Sequence, residues 1–192
     1  DRTLEIGRKY PVRIVVDGKK GRGRAYNKGI AEAKSEAIAF LDSDAYAEPL
    51  WLREVASELV KGPLIVAVYC CQKAPSDSSY LQRCIDTVCY KSDRTGHANG
   101  VIYKTDLLLK AKGFDEGIDY YQEDELEYRL KKSGYQSRNI ERVLILHYPR
   151  KTLKNHISQN IEAGYGSVML YNLTKDKNVL ANIACRTVVL FT

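Results

Sequence analysis

The sequence predicts a mainly parallel α/β sheet covered by helices on both faces. Two patterns lead to that expectation. Apolar runs of strand length alternate with helix-length amphipathic segments over short connections. One of those runs, Ala37-Ile38-Ala39-Phe40-Leu41, stops abruptly on Asp42-Ser43-Asp44, as a buried strand does when it delivers polar side chains to its carboxyl edge. At 192 residues, 44% hydrophobic and 28% charged, the chain is apolar enough to bury the core of one domain.

The elements follow in order. Residues 2–9 read as the end of a helix, and Val12-Arg13-Ile14-Val15-Val16 as a short β-branched strand closed by an Asp17-Gly18 turn. Basic, glycine-rich residues 19–24 lead into a helix over about 25–35, with Ala25, Ile30 and Ala33 among its small or apolar positions. After the strand at 37–41, Pro49 opens a helix through about residue 60, since proline is tolerated in a first helical turn. A strand at 64–71 comes next. The polar stretch 73–100 begins with Pro75-Ser76-Asp77-Ser78-Ser79, a surface loop, and holds one helix around 80–90. Residues 100–104 read as a strand, and Thr105 as the cap of a short helix to Lys112 that Gly113-Phe114-Asp115 ends.

The clearest helix spans 123–133: Leu126 and Leu130 lie four apart, acids open it, Lys131-Lys132 close it, and Gly134 terminates it. A strand at 143–146 then delivers His147, and an amphipathic helix covers 152–173. Residues 179–192 are apolar but broken by Asn182 and Arg186, and too short to span a bilayer. They read as an amphipathic surface helix or as the start of a longer hydrophobic segment.

Charge narrows the partners. The net charge is +6, but the cations are interleaved with acids and form no dense basic stripe, which argues against nucleic acid. A mild cationic excess suits phosphate-bearing substrates or an anionic membrane surface. Five cysteines, at 70, 71, 84, 89 and 185, are odd in number and lack paired C-x-x-C spacing. They indicate neither a disulfide framework nor a zinc site, and fit a reducing, cytoplasmic compartment. Cys70 and Cys71, after an apolar run, read as small core hydrophobes. The opening Asp1-Arg2-Thr3 is not the basic-then-apolar pattern of a signal peptide.

Four places carry chemistry. Two carboxylates at a strand end are able to hold a hard divalent cation against a phosphate, although a lone D-x-D also occurs as an acidic turn. Glu123 and Asp124 open the clearest helix, where the dipole favours the charged carboxylate; they read as a general base or as simple capping acids. His147, preceding Tyr148-Pro149, reaches a strand end as well. Residues 19–24 place amides and four cations before a helix N-terminus, either a phosphate cradle or a solvated basic turn. Neither the Walker A nor the Rossmann glycine pattern is present.

In combination these motifs resemble the family 2 inverting glycosyltransferases. The stretches that carry the resemblance are Gly21-Arg22-Gly23-Arg24-Ala25-Tyr26-Asn27-Lys28-Gly29-Ile30, residues 37–44, Gly113-Phe114-Asp115-Glu116, Glu123-Asp124-Glu125-Leu126-Glu127-Tyr128-Arg129-Leu130 and Gly134-Tyr135, in that order over most of residues 1–150. The resemblance implies a GT-A fold, Rossmann-like, over 1–150, with 151–192 as a C-terminal helical extension expected near a membrane. It implies a nucleotide-diphosphate-sugar donor and Mn2+ or Mg2+ held by Asp44 and His147, with Asp42 on the metal or the nucleotide sugar. Gly21, Arg24, Asn27 and Glu123 join Asp42 as donor-binding residues, and Asp124 is the base. The acceptor is a saccharide or other hydroxyl, or a lipid-linked polyprenyl phosphate at a membrane. The family's first βα unit and its acid-rich turn are not found ahead of Asp1-Arg2-Thr3-Leu4-Glu5-Ile6, so the fold is expected to be N-terminally incomplete, with Asp1 the last acid of that turn. A sugar-phosphate nucleotidyltransferase and a non-catalytic GT-A-like binding module are the competing readings.

Overall fold

The computed structural model describes residues 2–16, 18, 21–89, 99–177 and 179. The readings made for Asp1, Asp17, Lys19, Lys20, residues 90–98 and residues 180–192 lie outside these. The elements are α1 (Thr3–Gly7), α2 (Arg22–Glu32), β1 (Ala37–Phe40), β2 (Ala45–Ala47), α3 (Trp51–Leu59), β3 (Ile65–Lys73), α4 (Tyr80–Cys89), β4 (Val101–Lys104), α5 (Thr105–Lys110), α6 (Gln122–Lys132), β5 (Gln136–His147) and α7 (Leu153–Thr174).

The five strands form one sheet in the order β1-β4-β3-β5-β2. The α/β class holds, but the sheet is mixed and not mainly parallel. Only β3 and β5 run parallel, while β4 pairs antiparallel with both β1 and β3, and β2 antiparallel with β5. Hydrophobic periodicity marks where strands lie and leaves their direction open. The long connection between β3 and β4 gives the chain room to reverse, and β2 turns back directly after Asp42-Ser43-Asp44.

The period-two alternation of the strands, broken at Leu144–Ile145 where the β3–β5 register shifts, divides the core. Ala67, Tyr69, Val101 and Tyr103 face a cluster with Ile30, Leu107, Leu108, Phe114, Leu126 and Leu130, on the side of α2, α5 and α6. Val68, Ile102, Leu144 and Ile145 face the other way, onto Trp51, Val55 and Leu59 of α3. The Tyr69 and Tyr103 hydroxyls, both buried, hydrogen-bond at 2.9 Å, so neither phenol is left unsatisfied inside the first cluster.

Three further expectations change. Val12 to Val16 has no regular secondary structure and pairs with no strand among the described residues, and Val12, Ile14, Val15 and Val16 are exposed. A β-branched run becomes a strand only beside a hydrogen-bonding neighbour. Thr105 does not cap α5; it sits in the first turn, where its hydroxyl donates to the Ser35 carbonyl at 2.7 Å and ties the helix to the residues before β1. The strand ending at His147 starts at Gln136, well before residue 143, because β3 offers it partners from Ile65 to Lys73.

A latch fixes α6. The Arg129 guanidinium donates to both Glu125 carboxylate oxygens, at 2.6 and 2.7 Å, to the Gly113 carbonyl at 2.7 Å, and to the Ala111 carbonyl. Gly113 has φ +65°, and a Cβ there would lie 2.2 Å from Asn27 Oδ1, so glycine is the residue this turn accepts. Glu125 is buried. Arg129→Met should therefore cost about 3 kcal/mol by leaving a buried carboxylate unpaired, and Arg129→Lys should recover little of it. Urea denaturation of the two variants measures this, and a loss below about 1 kcal/mol would refute the latch.

Candidate metal and donor site

The Asp42-Ser43-Asp44 turn leaves the end of β1 and is closed by the Ala45 amide donating to the Asp42 carbonyl at 3.2 Å. That reversal lets β2 form, and β2 pairs Ala45 with His147 across the sheet. The imidazole Nε2 thereby lies 3.4 Å from Asp44 Oδ1. One ligand atom each from Asp42, Asp44 and His147 fall within 4.8 Å of one another. Two carboxylate oxygens and an imidazole nitrogen form a donor set suited to Mn2+ or Mg2+.

The backbone beneath is locked. The Asp42 amide donates to Asn99 Oδ1 at 3.3 Å, and Asn99 Nδ2 donates to Gln72 Oε1 at 3.0 Å. Gly100, with φ +82°, donates its amide to the Phe40 carbonyl at 2.9 Å and accepts from Trp51 Nε1 at 3.2 Å. A Cβ at Gly100 would lie 2.5 Å from Ile145 Cγ1. Cys70, packed against the second core cluster, donates its thiol to the same carbonyl at 3.4 Å, and burial pushes that thiol up to about 12, which makes it an inert core group.

Tyr26, on α2, is the residue sequence reasoning missed. Its ring packs on Phe40 and Phe114, with centroids 5.3 and 5.0 Å away. Its hydroxyl hydrogen-bonds the Asp42 carboxylate. Burial first, then the Asp42 and Glu123 charges, hold the phenol well above its usual range, with Arg22 opposing. One phenol thus senses both the strand-end acid and the first acid of α6. Tyr26 stood inside the quoted glycine-rich stretch, but only the tertiary fold aims it at Asp42. Asn99 had no local signal at all.

The other predicted residues are placed as follows. Glu123 is buried and Asp124 half-buried in the first turn of α6, entered through Tyr121 at φ +63°. Both acids raise the buried Tyr103 phenol, after burial as the main cause. Gly21 precedes α2 with φ +126°, Arg24 is half-buried, and the Arg22 guanidinium lies 5.3 Å over the Tyr120 ring. Asn27 spends its amide on the 113–116 turn: Oδ1 accepts from Phe114 N at 2.8 Å, while Nδ2 donates to Phe114 O at 2.9 Å and to Glu116 Oε1 at 3.0 Å. It shapes the turn that meets α2.

If Tyr26 orients Asp42, Tyr26→Phe should keep the aromatic packing yet weaken Mn2+ binding by about tenfold or more, since a hydrogen bond to a charged group is worth about 1.5–3 kcal/mol. Calorimetric titration with Mn2+ reads this, and unchanged affinity would rule out an orienting role.

No curated protein matches the sequence. Among solved structures, the mannosyltransferase PcManGT from Pyrobaculum calidifontis, in complex with GDP-Man and Mn2+, is similar at TM-score 0.64 and 18% identity, over 87% of this chain and 50% of that one. TarS 1-349 from S. aureus, in complex with UDP-GlcNAc, matches at TM-score 0.64 and 16% identity, over 97% of this chain and 60% of that one. Glucosyl-3-phosphoglycerate synthase from Mycobacterium tuberculosis, in complex with phosphoglyceric acid, matches at TM-score 0.59 and 17% identity, over 91% and 65%. The chain thus spans between half and two thirds of the length of these structures, and the likeness establishes the GT-A fold. A family model described as glycosyl transferase family 2 matches residues 1–179, and the chain belongs to that family.

Proposed function

We propose that the chain supplies the donor site and catalytic base of a metal-dependent inverting glycosyltransferase, moving a sugar from a nucleotide-diphosphate donor to an acceptor hydroxyl or to a polyprenyl phosphate. The observation that carries this reading is the meeting of Asp42, Asp44 and His147 at one end of the sheet. Structures of the same fold hold GDP-Man with Mn2+ and UDP-GlcNAc, which supports a nucleotide-sugar donor here. A divalent ion on this donor set supplies charge neutralisation for the departing diphosphate.

The rest falls to side chains. Asp124 sits at the N-terminus of an 11-residue helix, whose dipole stabilises its ionised form. It takes the proton of an acceptor hydroxyl as that oxygen bonds to the anomeric carbon and the bond to the diphosphate oxygen breaks on the opposite face. One displacement inverts the configuration. Gly21, Arg24, Glu123 and Asp42 line the donor, with Asn27 holding the adjoining turn. The odd number of cysteines, without paired C-x-x-C spacing, supports a reducing, cytoplasmic setting.

Asp44→Ala should abolish metal-dependent nucleotide binding. Asp124→Asn should leave binding intact while lowering transfer to a hydroxyl acceptor by about 10²–10⁴-fold. Thermal stability titrated with Mn2+ and a panel of nucleoside diphosphates measures the first, and release of nucleoside diphosphate from the donor measures the second. Binding that persists in Asp44→Ala, or full transfer by Asp124→Asn, would refute the assigned roles; release of pyrophosphate from a nucleoside triphosphate would point to a nucleotidyltransferase.

A further inference from the structure

Helix α7 has two apolar faces, and the fold uses one. Gly166, Ser167, Leu170 and Thr174 are buried, and the Tyr128 hydroxyl donates to the Thr174 carbonyl at 2.8 Å, tying that side to α6. On the other side Leu153, Ile157, Ile161, Tyr165 and Val168 are 45–70% exposed. Steps of four and three place the last four on one stripe of a 3.6-residue helix. A continuous exposed apolar stripe of this kind marks a contact surface.

Charge says what it contacts. The helix has one carboxylate, Glu162, and that group already accepts from the Tyr120 hydroxyl. Exposed cations stand at both ends: Arg150, Lys151 and Lys154 at the start, Lys175 and Lys177 just past the finish, with Asp176 the one acid among them. Cations at a helix N-terminus oppose the macrodipole, so the first three gain nothing from the helix itself. Two copies packed through this stripe would set like charges against each other in either orientation. A plane of lipid phosphates neutralises both ends together. No helix among the described residues is long and apolar enough to cross a membrane.

We propose that α7 lies in the plane of an anionic lipid surface, with Ile157, Ile161, Tyr165 and Val168 at the headgroup–acyl boundary and the flanking cations on lipid phosphates. The inference stands apart from the donor chemistry, so its test does not depend on sugar transfer. The purified chain should sediment with vesicles of phosphatidylcholine and phosphatidylglycerol, should not sediment with phosphatidylcholine alone, and should release as salt rises from about 0.1 to about 0.5 M. Ile161→Glu and the exposed pair Lys151→Glu/Lys154→Glu should each weaken binding about tenfold, with circular dichroism and Mn2+ titration confirming that the fold is kept. No binding to anionic vesicles, equal binding to neutral ones, or indifference to both variants overturns the proposal. So does a dimer in sedimentation velocity that Ile161→Glu dissociates, which would give the stripe to a second copy.

Discussion

Strand β5 hydrogen-bonds in parallel to β3 from Gln136 to Leu146 and in antiparallel to β2 from Ile145 to His147, so its last turn of ladder is shared between two neighbours. That double pairing places His147 opposite Ala45 and hence beside Asp44. Without β3 the strand has no register, because the central, wholly buried Ile65 to Tyr69 stretch sets it from one end. Without β2 the acidic turn has nothing to hold its second carboxylate near the imidazole. The Asp42, Asp44 and His147 cluster is a product of sheet register before it is a product of side-chain chemistry.

The electrostatics share that economy. Tyr26 fills aromatic space between Phe40 and Phe114 and also presents its hydroxyl to Asp42. The paired Tyr69 and Tyr103 hydroxyls let a polar layer exist under α6, where Glu123 and Glu127 raise both phenols behind the larger effect of burial. Burial and these acids both oppose ionisation, so the two phenols stay neutral inside the apolar cluster.

Local signals in the sequence went far. The abrupt stop of an apolar run on Asp42 located the strand end, and the Leu126/Leu130 spacing with its flanking charges located α6 to within one residue at each end. What could not be read was non-local. Strand direction depends on which neighbour a strand finds, and β4 found two antiparallel ones. Val12 to Val16 has the composition of a strand without a partner among the described residues. Thr105 looks like a cap because the Ser35 carbonyl that claims its hydroxyl is invisible in one dimension. Tyr26 and Asn99 reach Asp42 from distant positions, and no periodicity encodes that.

The sharing of β5 also bears on how the protein comes into being. Asp42 and Asp44 leave the ribosome ahead of His147 and the strand that anchors β2, which follow only after α6, and contacts of such long sequence separation close slowly. A nascent chain therefore exposes its acidic pair before it possesses His147. Assembly of the three groups becomes a late event in biogenesis, a mark of a finished sheet, and any partly translated product carries the acids without the imidazole that meets them.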